Sequence, residues 1–324
     1  MKKHAFIFAI VLFVCILLLG CNAEDKNSDN ENDEKLNIVA TIFPEYDFAR
    51  AIVGDKATVS MLTDPGASIH SFDPSPSDIK KVQSADVFIY VGGESEEWVD
   101  SILQSLDTDN MKIIRLMDSV NVVEEELKEG MTPEEEDVDA EETESEELEY
   151  DEHVWTSPQN AILLIDAITV AICEADEANA SVYESNAAAY KEKLNDIDKQ
   201  IKDLVKGAKR NKIVVADKFP FRYFVDQYGL DYVAAFPGCS DQTDAGAATI
   251  AYLINTVEQE EIPYIYYVEL SNKSCATAIS EQTGAGMLLL NSGENISKTD
   301  FNNGVTYVDL MNQNIETLKK GLEE

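Results

Sequence analysis

Short, almost continuously apolar runs constrain this chain more than any other feature. Leu36–Ile42 (LNIVATI), Val87–Val91 (VFIYV), Lys212–Ala216 (KIVVA) and Tyr264–Val268 (YIYYV) do not alternate polar with apolar residues. A strand with one wet face would alternate, so these runs are strands buried on both faces, as in a parallel sheet covered by helices. Ala57–Leu62, Lys112–Leu116, Tyr232–Phe236 and Met287–Leu290 extend the set. Helical spacing lies between them, in Tyr46–Ile52, Pro76–Ser84, Glu97–Leu103, Asn160–Cys173, Tyr223–Tyr228, Ala248–Gln259 and Cys275–Thr283, with a last helix from Tyr307 to Lys320 stopped by Gly321. Strand–helix alternation at this pitch predicts an α/β fold with mostly parallel sheets. One segment is too long for such a unit. From Ala178 to Lys209, Tyr183, Tyr190, Leu194, Ile197, Ile201 and Leu204 keep helical spacing, and no Pro or Gly interrupts them before Gly207. A helix of about 30 residues spans ~45 Å. It is predicted to be a rigid strut (178–209) joining two similar lobes, 36–177 and 210–324.

The N-terminal end reads as an address. Met1–His4 is basic, and the apolar run Ala5–Leu19 is too short to span a bilayer comfortably. The sequence Leu18-Leu19-Gly20-Cys21 resembles a bacterial lipobox. The expectation is a lipoprotein signal over 1–20, a lipid anchor through Cys21, a flexible tether over 21–35, and a folded part at the extracytoplasmic face of the cell membrane. An ordinary signal peptide with an incidental Cys21 is the alternative. Apart from Cys21, the thiols after this segment are Cys173, Cys239 and Cys275, an odd number with no metal-finger spacing. They read as buried small hydrophobes rather than a disulfide framework.

Charge excludes some partners. With 62 acidic against 25 basic side chains, the formal charge is −37, and such a field repels nucleic acid. Between Glu124 and Glu152 there are 17 acids and one base. Residues 124–149 are therefore expected to be an exposed acidic loop, solvated or weakly holding hard cations.

Only two histidines follow the signal segment, and both sit in proline-bounded loops beside strand or helix ends. His70 lies in Asp64-Pro65-Gly66-Ala67-Ser68-Ile69-His70-Ser71-Phe72-Asp73-Pro74, and His153 in Asp151-Glu152-His153-Val154-Trp155 before Pro158. In open α/β sheets, post-strand loops are where ligands bind, and imidazole is a ligand for Zn²⁺ and other late first-row ions.

From residue 37 to about 322 the chain resembles the zinc- or manganese-binding solute-binding lipoproteins of bacterial ABC importers, some of them described as adhesins. The segments that carry the likeness are IVATIFPEYDFARAIVG, DPGASIHSFDPSPSDIKKVQSADVFIYVGGESEEW, DEHVWTSPQNA, FRYFVDQYGL and IYYVELSNKSCATAISEQTGA. The resemblance implies two α/β lobes on one rigid helix with the metal in the cleft. It also implies that His70 and His153 are the first two ligands. The family's third ligand, His or Glu, falls on Lys218, which cannot bind a cation; the adjacent Asp217 is the substitute. Its fourth, commonly Asp, falls near Asn291-Ser292-Gly293-Glu294-Asn295, where Glu294 is the anionic choice. Glu269 and Glu45 are weaker candidates, and Lys218 is expected to neutralise a carboxylate. Trp98 and Trp155 are expected to pack at the lobe edges.

The expected ligand set is therefore His70, His153, Asp217 and Glu294, with loops from opposite lobes bringing the two imidazoles to one cation. Two nitrogen and two oxygen donors suit Zn²⁺, with Mn²⁺ possible, and the Irving–Williams order favours zinc. No HExxH, Walker or Rossmann pattern is present, so the reading is a receptor and not an enzyme. It would deliver Zn²⁺ as a monomer to an ABC permease. A manganese receptor of the same type, or a surface adhesin with a degenerate metal site, is the alternative.

Overall fold

The structure is a computed structural model that describes residues 35–131, 149–240 and 244–324. The signal, Cys21 and all but the last residue of the tether lie outside the described residues, as do residues 132–148 of the acidic run.

Eight strands form two four-stranded parallel sheets. In the first lobe β1 (Asn37–Ala40), β2 (Thr58–Met61), β3 (Val87–Tyr90) and β4 (Lys112–Arg115) lie in the order β2-β1-β3-β4. In the second, β5 (Lys212–Val215), β6 (Asp231–Ala234), β7 (Tyr264–Tyr267) and β8 (Gly286–Leu289) repeat it as β6-β5-β7-β8. Ala40 pairs with Met61 on one side and Ile89 on the other, and Val215 with Ala234 and Tyr266. Each sheet thus has its switch point between its two central strands, and the loops leaving the strands' C-terminal ends face a common region.

The connecting helices are α1 (Phe43–Val53), α2 (Pro76–Gln83), α3 (Glu97–Leu103), α4 (Pro158–Ala175), α5 (Ala180–Gly207), α6 (Arg222–Tyr228), α7 (Ala247–Gln259), α8 (Ser274–Thr283), α9 (Lys298–Asn302) and α10 (Tyr307–Glu323). Several starts follow from local chemistry. Ser75 and Asp78 form a reciprocal capping box on α2, with Pro76 in the first turn. Thr306 and Asp309 do the same on α10.

Helix α5 is the long connector, and its apolar stripe is the predicted one: Tyr183, Tyr190, Leu194, Ile197, Ile201 and Leu204 are all buried. It packs on α1 and α4 of the first lobe and on α10 and α6 of the second. A buried polar knot pins this junction. Asp47 of α1 accepts from the Tyr190 hydroxyl of α5 at 2.6 Å and the Tyr307 N–H of α10 at 2.9 Å, and it pairs with Arg50 at 2.7 Å. Arg50 in turn donates to the Val305 carbonyl at 2.9 Å.

Two sequence expectations change here. Gly321 does not stop the last helix; α10 continues through it to Glu323. It is small because Tyr266 lies against it, where a Cβ would strike the phenol. The acidic run is also not wholly solvated at its start. Val123–Glu125 and Glu149–Asp151 close a short antiparallel stem through Glu124–Tyr150 pairing, Glu125 N to the Glu149 carbonyl (2.9 Å) and Asp151 N to the Val123 carbonyl (3.0 Å). Glu125 accepts from the backbone N–H groups of Gly238 (2.7 Å) and Cys239 (3.2 Å), and the Lys128 ammonium lies over the Tyr232 ring. The stem ends two residues before His153.

Candidate metal centre

Three side chains converge above the strand ends. His70, His153 and Glu294 each offer one ligand atom, and these atoms lie within 4.8 Å of one another. The two imidazole rings are 5.8 Å apart between centroids, and His70 Nε2 lies 3.6 Å from Glu294 Oε2. Their side chains are largely removed from water, His70 4% and Glu294 14% exposed, with His153 1% exposed overall.

Each arrives by a different route. His70 follows β2 in a single 3₁₀ turn, Ile69–Ser71, whose preceding Ser68 side chain accepts from the His70 N–H. His153 immediately precedes the turn Val154–Thr156 that leads into α4. Glu294 follows β8 in the second lobe. Both imidazoles therefore come from the first lobe, not from opposite lobes as the sequence suggested; the second lobe contributes the carboxylate.

The ring nitrogens are sorted by their outer contacts. His70 Nδ1 shares a 2.7 Å hydrogen bond with Ser95 Oγ, which leaves Nε2 turned to the centre, buried and without a hydrogen-bond partner. His153 Nδ1 faces Asp151 Oδ1 at 3.2 Å, leaving its Nε2. Such outer partners fix tautomer and ring orientation in metal sites. Ser95 is itself held, its N–H donating to Glu152 Oε1 at 2.8 Å. Glu294 Oε1 accepts from Ser68 Oγ at 3.1 Å and from Ile69 N at 3.3 Å, so this carboxylate ties the second lobe to the His70 turn. Asn295 Oδ1 adds a tie to Gly66 N at 3.0 Å, and Trp155 Nε1 donates to the Ser292 carbonyl at 3.0 Å. Trp155 thus packs at the junction of the lobes.

The electrostatics follow this geometry. Burial opposes charge on His153, but the Asp151 carboxylate and its hydrogen bond, with Glu294 and Glu152 beyond, raise its pKa to about 9. Burial likewise opposes charge on Glu294, yet His70 beside it, then His153 and Lys218, bring its pKa down to about 2. The centre is an ionised carboxylate facing two imidazoles.

The remaining expected residues lie around this group rather than in it. Asp217, after β5, is outside the cluster: its Oδ1 accepts from Lys218 N (3.0 Å) and its Oδ2 from Val268 N (3.4 Å). Glu269, after β7, holds the Glu294 loop through Ser292, accepting from its N–H and hydroxyl. Asn291 is buried against Asn314. Glu45 is fully buried and accepts from Thr41 N and Ile42 N at the start of α1. Burial, and next the Glu96 carboxyl, push its pKa up. Lys218 lines a cleft of about 520 Å³ shared with Asp217, Glu269 and Glu294. Sequence reasoning missed Ser95 and Asp151 as orienting groups. Asp151 had a signal, an acid two residues before a histidine; Ser95 had none.

Two nitrogen donors and one carboxylate oxygen suit Zn²⁺ or Mn²⁺. Comparison with known proteins places the chain among metal-uptake proteins. Residues 38–321 match the family described as zinc-uptake complex component A, periplasmic. The chain is 33% identical over its whole length to the zinc-binding lipoprotein AdcA of Streptococcus pneumoniae, but spans only 62% of that protein. It is 31% identical to the high-affinity zinc uptake system protein ZnuA of Bacillus subtilis, with 99% of this chain and 98% of that protein covered. The Zn(II)-bound ZnuA-like domain of pneumococcal AdcA has a similar structure, with a TM-score of 0.72, 31% identity, and 90% of this chain and 100% of that one covered.

Proposed function

Because the chain belongs to the zinc-uptake complex component A family, whose members are extracytoplasmic metal-binding receptors of ABC uptake systems and not enzymes, we propose that it captures Zn²⁺ outside the membrane and hands it to a cognate permease. In this reading His70, His153 and Glu294 are the protein's ligands, and Cys21 carries the lipid anchor. The observation that supports it most is the meeting of two outward-sorted imidazoles with an ionised carboxylate from the other lobe.

Zinc is the metal of choice here on chemical grounds. An N₂O set of three compact ligands fits a tetrahedral ion, whereas Mn²⁺ favours more oxygen donors and higher coordination. Because Glu294 comes from the second lobe, a cation bridging it to the two imidazoles favours the lobes' approach. A permease that prefers the parted arrangement would release the ion by that difference in affinity.

Calorimetric titration of the metal-stripped protein with Zn²⁺ and with Mn²⁺ tests the proposal. One tight Zn²⁺ equivalent is expected, with Mn²⁺ at least tenfold weaker and the tight equivalent absent from a His70→Ala/His153→Ala variant. Tight zinc binding that survives the double substitution would sink the assignment.

A further inference from the structure

Besides supplying Glu294, the second lobe touches a ligand of the first. Gly238, buried in the loop after β6, is not in the left-handed region, so close approach and not backbone angle calls for glycine there. A Cβ at this position would lie 3.0 Å from the Phe219 carbonyl oxygen, 3.1 Å from His153 Cε1 and 3.2 Å from Asp151 Oδ2. Cε1 is the carbon between the two ring nitrogens, Nδ1 on Asp151 and Nε2 at the centre. The loop that carries Gly238 is itself held on two sides. Ala235 N and Phe236 N donate to the Asp217 carbonyl at 3.2 and 3.3 Å. Glu125 Oε1 accepts from Gly238 N and Cys239 N at 2.7 and 3.2 Å. Glu125 belongs to the first lobe's acidic stem, whose following residues also lie on the second lobe. Glu126 accepts from the Tyr232 hydroxyl at 3.2 Å, and Lys128 pairs with Asp231 at 3.4 Å.

We propose that Glu125 is a positioning residue, holding the Gly238 backbone against His153 so that the second lobe sets the aim of a ligand supplied by the first. This inference rests on the metal site proposed above. Asp151 holds the ring at Nδ1 and Gly238 backs it at Cε1, so Nε2 is aimed by groups on both sides. A ligating ring must stay within about 0.5 Å of its productive place, the scale of shift that a methyl group at Gly238 would force. The Gly238 loop cannot retreat to make room while Glu125 and the Asp217 carbonyl hold it, so the imidazole is what moves. Parting the lobes withdraws Glu294 and this backing together, and one movement then loosens two of the three ligands.

The test is a double-mutant cycle on the full chain, read by Zn²⁺ competition against a chromophoric chelator and by NMR of the histidine Hε1 signals without metal. Gly238→Ala and Glu125→Ala should each weaken zinc about tenfold, with one zinc still bound. Because both act through one contact, the double variant should be within about threefold of the weaker single variant. Glu125→Gln, whose carboxamide oxygen still accepts the two N–H groups, should recover most of the loss. In the metal-free spectra, Gly238→Ala and Glu125→Ala should both move the His153 signal and leave that of His70 in place. Multiplied losses in the double variant, no recovery in Glu125→Gln, or an unmoved His153 signal would each overturn the proposal. Failure of the unsubstituted chain to bind one zinc would overturn the metal site and the proposal with it. Tight zinc binding indifferent to both substitutions would overturn the proposal only.

Discussion

One oxygen of Asp151 meets His153 twice: Oδ1 accepts the backbone N–H at 2.8 Å and faces ring Nδ1 at 3.2 Å. Backbone and ring are thereby fixed to the same atom, and the imidazole can present only Nε2 to the centre. The neighbouring Tyr223 hydroxyl holds the Asp151 carbonyl at 2.6 Å, so the support is anchored in α6 of the second lobe. Asp151→Asn keeps an acceptor but removes the charge. Zinc affinity measured near pH 9.5 should fall about 10–100-fold. The loss should shrink toward pH 7, where the variant's less basic ring also holds its proton less firmly. A loss independent of pH would contradict this role.

The raised pKa of His153 has a defined sign. The folded protein holds this proton up to about pH 9, whereas an unfolded chain releases it near 6.5. The stabilisation is complete below about 6.5 and is lost as pH rises to about 9. Metal-free protein should therefore become less stable across that window, and zinc binding at pH 7 should release about one proton. Urea unfolding at several pH values and calorimetry in buffers of different ionisation enthalpy check both. Glu294 works in the opposite direction: its depressed pKa of about 2 stabilises the fold above about 4.5 and is lost as pH falls toward 2.

Glu294→Gln removes the second lobe's charge from the centre while preserving size and the Ser68 contact. Zinc affinity should drop at least 100-fold, and the metal-free protein should also unfold more readily in urea at neutral pH, because the stabilisation carried by the ionised carboxylate is lost. The carboxamide cannot replace an anionic ligand to a divalent ion. Retained affinity would assign the third ligand elsewhere.

Asp47 ties α1, α5 and α10 together and is completely buried. Asp47→Ala leaves the Tyr190 hydroxyl and the Tyr307 N–H without their acceptor, and Arg50 without its partner. Stability should fall by about 3 kcal/mol, measured by urea unfolding, while one zinc still binds. A loss below about 1 kcal/mol would show that the knot is dispensable.

The antiparallel pairing of Val123–Glu125 with Glu149–Asp151 ends before His153. Replacing residues 132–148 with a short Gly-Ser linker should leave the tight zinc equivalent within about threefold of its original affinity. Weak additional binding at high zinc is the property that should disappear. Loss of the tight site would place a ligand within the insertion.

The strands and the long helix were legible in the sequence because burial on both faces, or along one helical stripe, dictates residue type directly. Leu194, Ile197 and Ile201 report their own environment. Gly321 was misread for the opposite reason: its smallness answers to Tyr266, a tertiary neighbour that no local pattern encodes. The same holds at the centre. His70 and His153 stood out by scarcity and loop position, and Glu294 by being the anion in a loop otherwise lacking one. Choosing between Glu294 and Asp217 required the trajectories of the loops after β8 and β5. Ser95 could not have been found, since its role exists only through the 2.7 Å contact with His70.

The most direct measurement is the X-ray absorption spectrum at the zinc edge of protein loaded with one equivalent. The expected result is two imidazole nitrogens at about 2.0 Å with the remaining shell made of oxygen, and one imidazole fewer in His153→Ala. A spectrum of the unsubstituted protein with fewer than two imidazoles would contradict a centre built on His70, His153 and Glu294.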